Sequence, residues 1–464
     1  MSSLFGTMSV ALQSLLAQQG AMGVVANNIA NANTPGYSRE IPNLEESPPT
    51  LNGNTMVGTG VTMSSVESVR DNILNLRIQQ ETSQQSSLGS YLDSMNQVQA
   101  LFNETSGVGL QTYLSNFFNS FQSLTTNPSS SSLRQSTITA GQDLAGAFSQ
   151  TSQNMATIQQ GLDQSVVQTV QQVNQLTAQA ANLNQQIQMV SNAGDSPGAL
   201  EDQRDQVLQN LSGLVDTAVV YANNGTVSVT TTSGTLLVCG NQSDALTTQL
   251  NSTTGMNEVL AQGTDITSSI AGGKLQGLIN ARDNGIPATQ SSLDDLAAGL
   301  ISAVNKQQNA GYDLNGGSGA DFFAPFTPST QVSNAGAAAT MSVALTHPSQ
   351  IAASSDGTQG DNGNATAMAG LLNQPVVSGQ TAGSYYSNLI DQVGNTVSNS
   401  TSEQEAIGLV LQQLTNQQSA ISGVSLDEEA SNLVLYQRAY EAAARVISTV
   451  DELVGTTINM FTPS

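Results

Sequence analysis

Eleven apolar residues, Met155, Ile158, Leu162, Val166, Val170, Val173, Leu176, Ala180, Leu183, Ile187 and Val190, recur over 35 residues in ten steps, a mean of 3.5 per step. At that spacing one stripe of an α-helix keeps facing a neighbouring helix. The span holds no proline and one glycine, Gly161. It predicts a continuous helix of roughly 50 Å, at about 1.5 Å per residue. A rod is implied.

Both chain ends carry the same kind of seam. Near the start, Phe5, Met8, Leu12, Leu15, Gln19, Met22, Ala26 and Ile29 follow alternating steps of three and four, and only Gln19 is polar. At the far end Leu433, Tyr436, Tyr440, Ala443, Ile447, Val450 and Val454 repeat the rule without a break. Ser425 and Glu428 have the spacing of a capping box, which starts the last helix there with Asp427, Glu428 and Glu429 at its positive end. Burial in one isolated pair of helices does not offset the entropy of ordering both ends. The ends are therefore candidates for folding on assembly, and the seam residues, Gln19, Ala26 and Ala443 aside, are candidate assembly contacts.

Weaker helical patterns run through about 66–105, 287–310 and 384–421. Strand character concentrates in Thr217 to Gly240, where Asn224-Gly225 and Ser233-Gly234 separate short β-branched runs and predict two successive hairpins. Turn-rich sequence continues to about 272. Ile41 to Met63 and Gly311 to Val343 are rich in Pro, Gly, Asn and Ser and read as extended or looped connectors. The expected fold is mainly α with a β insert. Long terminal and central helices form a coiled-coil or helical-bundle stem, and a small β domain lies outside it. The division expected is a terminal coiled-coil domain with its extended connector (1–65 and 422–464), a helical core (66–215 and 273–421) and an outer β domain (216–272).

Ten Lys and Arg stand against 34 Asp and Glu, a net charge of −24. Lys and Arg supply most of the affinity for nucleic acid and for anionic lipid, so neither nucleic acid nor membrane is an expected partner. The single cysteine, Cys239, cannot close an intramolecular disulfide, and its strand-like neighbours suggest a buried thiol. The first twenty residues have neither a basic start nor an unbroken apolar run, and no later stretch approaches about 18 apolar residues, so neither a cleaved secretory signal nor a membrane span is expected.

Catalytic material is scarce. His347 is the only histidine and reads as a surface or turn residue. Asp313 to Asp321, "DLNGGSGAD", lacks the turn glycine and final glutamate of a calcium loop and reads as a glycine-rich turn. "VGTGVT" at Val57 lacks the third glycine of a dinucleotide fingerprint. Asp294-Asp295 and Glu428-Glu429 are adjacent acids whose side chains diverge by about 100° on a helix, which suits solvated faces or helix starts better than a paired-carboxylate cleft. No enzyme, cofactor or metal is expected.

"NNIANANTPGYSR", Asn27 to Arg39, follows the first seam. Asn tolerates the left-handed conformation at a helix end, Pro35 sets the turn, Gly36 relieves it and Tyr37 can anchor the exit. Asn28, Pro35, Gly36 and Tyr37 thus join the candidate contacts as parts of a joint.

These residues carry a resemblance. "ANNIANANTPGYSR" is similar to the signature after the first helix of bacterial flagellar rod, hook and hook-associated proteins. "SGVSLDEEASNLVLYQRAYEAAARVISTVDEL" looks like the end of the hook-associated family that forms the first hook–filament junction zone. "ALEDQRDQVLQNLSGLV" and "GYDLNGGSGADFF" support the narrower match, and it is weakest in the β insert. The resemblance implies an extracellular structural subunit of the flagellum, exported unfolded through the flagellar type III channel without a cleaved signal. It implies partners as well: copies of itself in a ring or helical lattice, hook protein on one side, and the next junction protein and flagellin filament on the other. An export chaperone is implied on the C-terminal helix, Leu426 to Ile458. Family members often carry a larger outer insertion; here the stretch from Phe323 to Ala344 is short, and one outer β domain is expected. The alternatives are another axial protein such as hook or flagellin, a secreted enzyme such as a muramidase, or a coiled-coil adhesin or phage tail component.

Overall fold

A computed structural model describes residues 2–52, 55–103, 109–326 and 334–461. The N-terminal third comprises α1 (Ser2–Asn31), β1 (Glu40–Glu46), β2 (Thr50–Asn52), β3 (Thr55–Val57), β4 (Val61–Ser68), α2 (Asn72–Leu101) and α3 (Leu110–Leu124). Then come α4 (Ser131–Asn192), α5 (Gly198–Leu214), β5 (Ala218–Tyr221), β6 (Val227–Thr230), β7 (Leu236–Cys239), β8 (Gln242–Ser243), β9 (Leu246–Leu250), β10 (Asn257–Ala261) and β11 (Thr264–Asp265). The remainder is α6 (Gly273–Asn280), α7 (Ile286–Asn309), α8 (Ala337–Thr340), α9 (Gly363–Gly370), α10 (Ala382–Ser422) and α11 (Leu426–Phe461). The fold is mainly helical with a β insert, as expected.

The predicted rod is longer than its seam. α4 has 62 residues, about 93 Å. It begins after Pro128 with Ser130 as N-cap, whose Oγ accepts from the Leu133 amide at 3.4 Å. Its first half buries Ile138, Gly141, Leu144, Ala145 and Phe148. Interspersed Gly, Ala and Thr dilute that stripe, which is why periodicity alone located only the second half. α10 runs unbroken through its polar middle, and α2 and α7 fall on the weaker patterns. Positions 104–105 of the first of those patterns lie outside the described residues.

An aromatic cluster anchors the helices. Phe117 of α3 packs edge-on to Phe118 (5.2 Å between centroids), Phe121 (5.4 Å) and Phe322 (5.2 Å), and Phe322 packs on Phe323 (4.9 Å). Phe322 and Phe323 end the "DLNGGSGADFF" stretch, so part of the second connector inserts into the core; positions 327–333 of it lie outside the described residues. Asp313 organises the turn, accepting from the amides of Asn315 and Gly317 at 2.8 Å each. His347 is exposed. Asp294, expected on a solvated face, is instead buried and caps α8, accepting from the amides of Gly336 (3.0 Å) and Ala338 (2.9 Å).

The two hairpins predicted around Asn224-Gly225 and Ser233-Gly234 form, with antiparallel β5–β6 and β6–β7 pairs and both glycines at positive φ. A four-stranded sheet β5-β6-β7-β8 and a three-stranded sheet β11-β10-β9 result. They share one apolar core with the helices. Amide side chains of α4 grip the strands: Asn184 bonds Val227 through both backbone groups, and Asn174 does the same to Leu246. Arg282, fully buried, holds Asp163 (2.7 Å) and the Asn257 carbonyl (2.8 Å). Cys239 is exposed, contrary to expectation. It ends β7 and pairs with Gln242 of the edge strand β8, and its side chain lies in solvent although Leu237 and Val238 beside it are buried.

The first connector is more ordered than its composition suggests. β1 and β4 pair antiparallel from Glu40↔Ser68 to Glu46↔Val61, with a register shift at Asn43/Leu44, and β2 pairs with β3 beyond them. Pro42, Pro48 and the register shift break the alternation by which strands are read. Positions 53–54 lie outside the described residues.

Candidate assembly interface

α1 and α11 lie side by side. Asn28, near the end of α1, bonds Glu429, near the start of α11, so the two run antiparallel. The β1–β4 arm turns back along α1: Glu40 meets Asn28, Met63 lies against Gly20, and Gly60 lies against Val10 and Gln13.

Asn28 is the centre of the joint and is 1 % exposed. Its Oδ1 accepts from the Tyr37 hydroxyl (2.8 Å) and the Glu40 amide (2.9 Å). Its Nδ2 donates to the Glu40 carbonyl (2.8 Å) and to Glu429 Oε2 (3.1 Å). One amide thereby satisfies its full donor and acceptor capacity while tying α1, the turn, the arm and α11 together. Gly36 takes φ +80° in the turn, as a left-handed position requires. Burial, followed by the charges of Glu40, Asp202 and Glu429, holds the Tyr37 phenol well above its usual value, so it stays a donor.

Ionic contacts extend the joint. Arg39 bonds Glu428 at 2.6 Å, and its amide donates to the Ser422 carbonyl at 2.8 Å. Ser38 donates its amide to Asp202 at 3.1 Å. Arg70 donates to Asp202 (2.8 Å), Asp205 (3.0 Å) and the Gly198 carbonyl (2.5 Å), pinning the foot of the arm to α5. Burial pushes the Asp205 carboxyl up, with Arg70 and Arg204 opposing. Grooves of 680 and 670 Å³ flank the Thr34–Tyr37 turn. Among the described residues no group of three or more His, Cys, Asp or Glu is placed to hold a metal ion.

The predicted contacts divide into two sets. Leu433, Tyr436, Tyr440, Ile447 and Val454 are half-buried and Val450 buried, on the side of α11 that shares the pair. On α1 the residues buried are Ala11, Ala17, Ala21, Val24, Val25 and Asn28. Phe5, Leu12 and Ile29 are exposed and Met8, Leu15 and Met22 half-exposed, so the seam read on α1 is largely the face the pair leaves uncovered. Pro35 and Gly36 are exposed and Tyr37 half-buried. Periodicity did not reach Arg39, Glu40, Arg70, Asp202, Asp205 and Glu429. Arg39, Asp202, Asp205 and Glu429 carried a signal only as members of the motifs "TPGYSR" and "EDQRDQ" and of the acids opening the last helix; Glu40 and Arg70 carried none.

Comparison with known proteins follows the same parts. Residues 8–37 match the family model of the flagella basal body rod protein, and 417–460 that of the flagellar basal body rod FlgEFG protein C-terminal region. Residues 95–323 match the flagellar hook-associated protein FlgK helical domain. A Bacillus subtilis relative, flagellar hook-associated protein 1, is 31 % identical over 99 % of this chain and 99 % of its own. The chain belongs to the flagellar hook-associated protein 1 family. Members from Salmonella typhimurium and Escherichia coli are 28 % and 27 % identical over 97 % and 99 % of this chain and 99 % and 100 % of their own. The flagellar hook junction protein FlgK from Burkholderia pseudomallei shares the fold, with a TM-score of 0.68 at 20 % identity over 75 % of this chain and 100 % of that one. In this family member the two rod-protein matches, 380 residues apart in sequence (417 − 37), meet in space as the α1–α11 stem and its joint. Membership places the chain in the bacterial flagellum among the axial components.

Proposed function

We propose that the chain is a structural subunit of the junction between hook and filament, built into the flagellum through the α1–α11 stem. The observation that carries this reading is the apolar stripe of α1: Phe5, Leu12 and Leu16 are 56 %, 50 % and 58 % exposed although the helix already packs on α11. Burying such a side chain is worth about 1.5–3 kcal/mol. A stripe of this kind on every copy favours copies packing side by side, with the predicted contacts on α11 holding each helix pair together. Hook protein lies on one side of the resulting ring, and the next junction protein and flagellin on the other. The chain reaches this place unfolded through the flagellar type III channel, which suits a sequence whose single cysteine leaves no intramolecular disulfide to block threading. An export chaperone covers the Leu426–Ile458 seam beforehand.

Leu12→Asp tests the reading. The position is half exposed, so the charge is solvated in the free chain and its circular dichroism is unchanged. Incorporation between hook and filament is lost, as immunolabelling of appendages and swimming assays record. Normal swimming by that variant would refute the role given to the stripe.

A further inference from the structure

Arg438 and Arg445 on α11 are exposed and pair with no acid among the described residues, in a chain of net charge −24. Glu441 between them turns to Gln437 at 3.5 Å. At about 100° per residue the two arginines share a face with Leu435, Val446 and Leu453, all exposed. That face lies well round the helix from Tyr440, Ile447 and Val454, which sit towards α1.

The β1–β4 arm is its complement. From Glu40 to Val69 the chain has four acids, Glu40, Glu45, Glu46 and Glu67, and no Lys or Arg. Glu45 and Glu67 are exposed. Ile41, opposite Glu67 in the ladder, is 43 % exposed, and the paired Leu51 and Met56 near the tip are 70 % and 64 % exposed. The arm runs back along α1 from the joint, and α11 leaves the same joint antiparallel to α1, so arm and α11 point the same way. A neighbouring copy in the same orientation therefore presents its arm parallel to this α11. The spacings agree: the Ile41↔Glu67 and Glu45↔Thr62 rungs are four residues apart, about 13 Å, and Arg438 to Arg445 is about 10 Å. Long Arg and Glu side chains take up the difference.

We infer that the arm of one copy docks along the Leu435–Leu453 face of α11 in a neighbouring copy, with Glu67 at Arg438 and Glu45 at Arg445. Ile41 then lies beside Leu435, and the Leu51–Met56 tip reaches towards Leu453. The charges set partner and register, and the apolar residues supply burial. This rests on the assembly reading above and adds which surfaces meet.

The test replaces the exposed native thiol, Cys239→Ser, and introduces Glu45→Cys with Arg445→Cys in full-length chain expressed in a flagellated strain lacking its own copy. Mild oxidation of intact appendages gives inter-chain disulfides, and the dilute monomer gives none. In parallel, Arg438→Glu with Arg445→Glu lowers incorporation about tenfold, and adding Glu45→Arg with Glu67→Arg restores it to within about twofold of the parent. Absence of the cross-link, or a reversal that leaves incorporation unchanged, overturns the docking while labelled chain at the hook's distal end leaves the assembly reading standing. Failure of the Cys239→Ser parent itself to appear there is failure of that earlier reading instead.

Discussion

Arg70→Met is the most informative single change in the core, because Arg70 joins the foot of the arm to α5 across 128 to 135 residues of sequence. Methionine keeps much of the volume and removes every donor. The Gly198 carbonyl, Asp202 and Asp205 lose their shared partner; Asp202 keeps the Ser38 amide, whereas Asp205 retains a hydrogen bond of 3.4 Å from Asn75. The Arg70 side chain is 11 % exposed, and those of Asp202 and Asp205 are 12 % and 19 % exposed. Removing one partner of a mostly buried ion pair costs about 3–5 kcal/mol. With a urea slope near 4 kcal/mol/M for a core of this size, the midpoint at pH 7 falls by roughly 1 M. The pH dependence supplies a second check. Burial raises the folded Asp205 value above the ordinary 3.8, so its contribution to stability is present below that value and lost as pH rises through the folded one. Losing Arg70 raises the folded value further, so the deficit is full at pH 7 and shrinks as the pH approaches 4. Urea titrations followed by far-ultraviolet circular dichroism at pH 7 and pH 4 measure both. A midpoint change under about 0.3 M at pH 7, or a deficit equal at the two pH values, would refute the account of this clamp.

Asn28→Asp keeps the shape of the joint but removes both donors and sets a carboxylate against Glu429; hydrogen exchange at the start of α11 in assembled appendages should rise by about 100-fold or more, from roughly 3 kcal/mol of lost contact. Gly141→Ala places a Cβ 2.5 Å from Phe322 Cε1 and 3.3 Å from Phe117 Cε2 in a packed aromatic cluster; a loss of about 2 kcal/mol in urea titration is expected, and a neutral result would mean the cluster is looser than described. Cys239, exposed at the sheet rim, should react completely with a maleimide in the native chain, and protection until denaturant is added would contradict the position given to it.

Local physics made much of the fold legible. The α4 seam, the last helix opening after Ser425, and the turns at Gly225 and Gly234 each follow from residues within a few positions of one another. At the joint, Pro35, Gly36 and Tyr37 were recognisable as a helix exit because Pro, Gly and Asn restrict or release the backbone wherever they occur. The network around Asn28 was not: its partners are 9, 12 and 401 residues away. Neither was the arm, whose prolines and register shift hide a ladder that only pairing reveals.

Periodicity determines that a helix has an apolar face, and tertiary packing decides which face meets which neighbour. On α1 the larger residues Phe5 and Leu12 drew attention, yet α1 buries Ala11, Ala17 and Ala21 within the chain, because small side chains let backbones approach closely. Cys239 has the same lesson on a strand: its neighbours have the composition of a core, but the rim of the sheet leaves it in water. The sequence alone determined the second half of the rod, an apolar seam on each terminal helix and the hairpin turns, all set by short-range sterics and hydrophobic spacing. Only the tertiary structure decided the Asn28 joint, the Arg70 clamp and the face left open for another copy, since these depend on groups that become neighbours only once the chain has closed on itself.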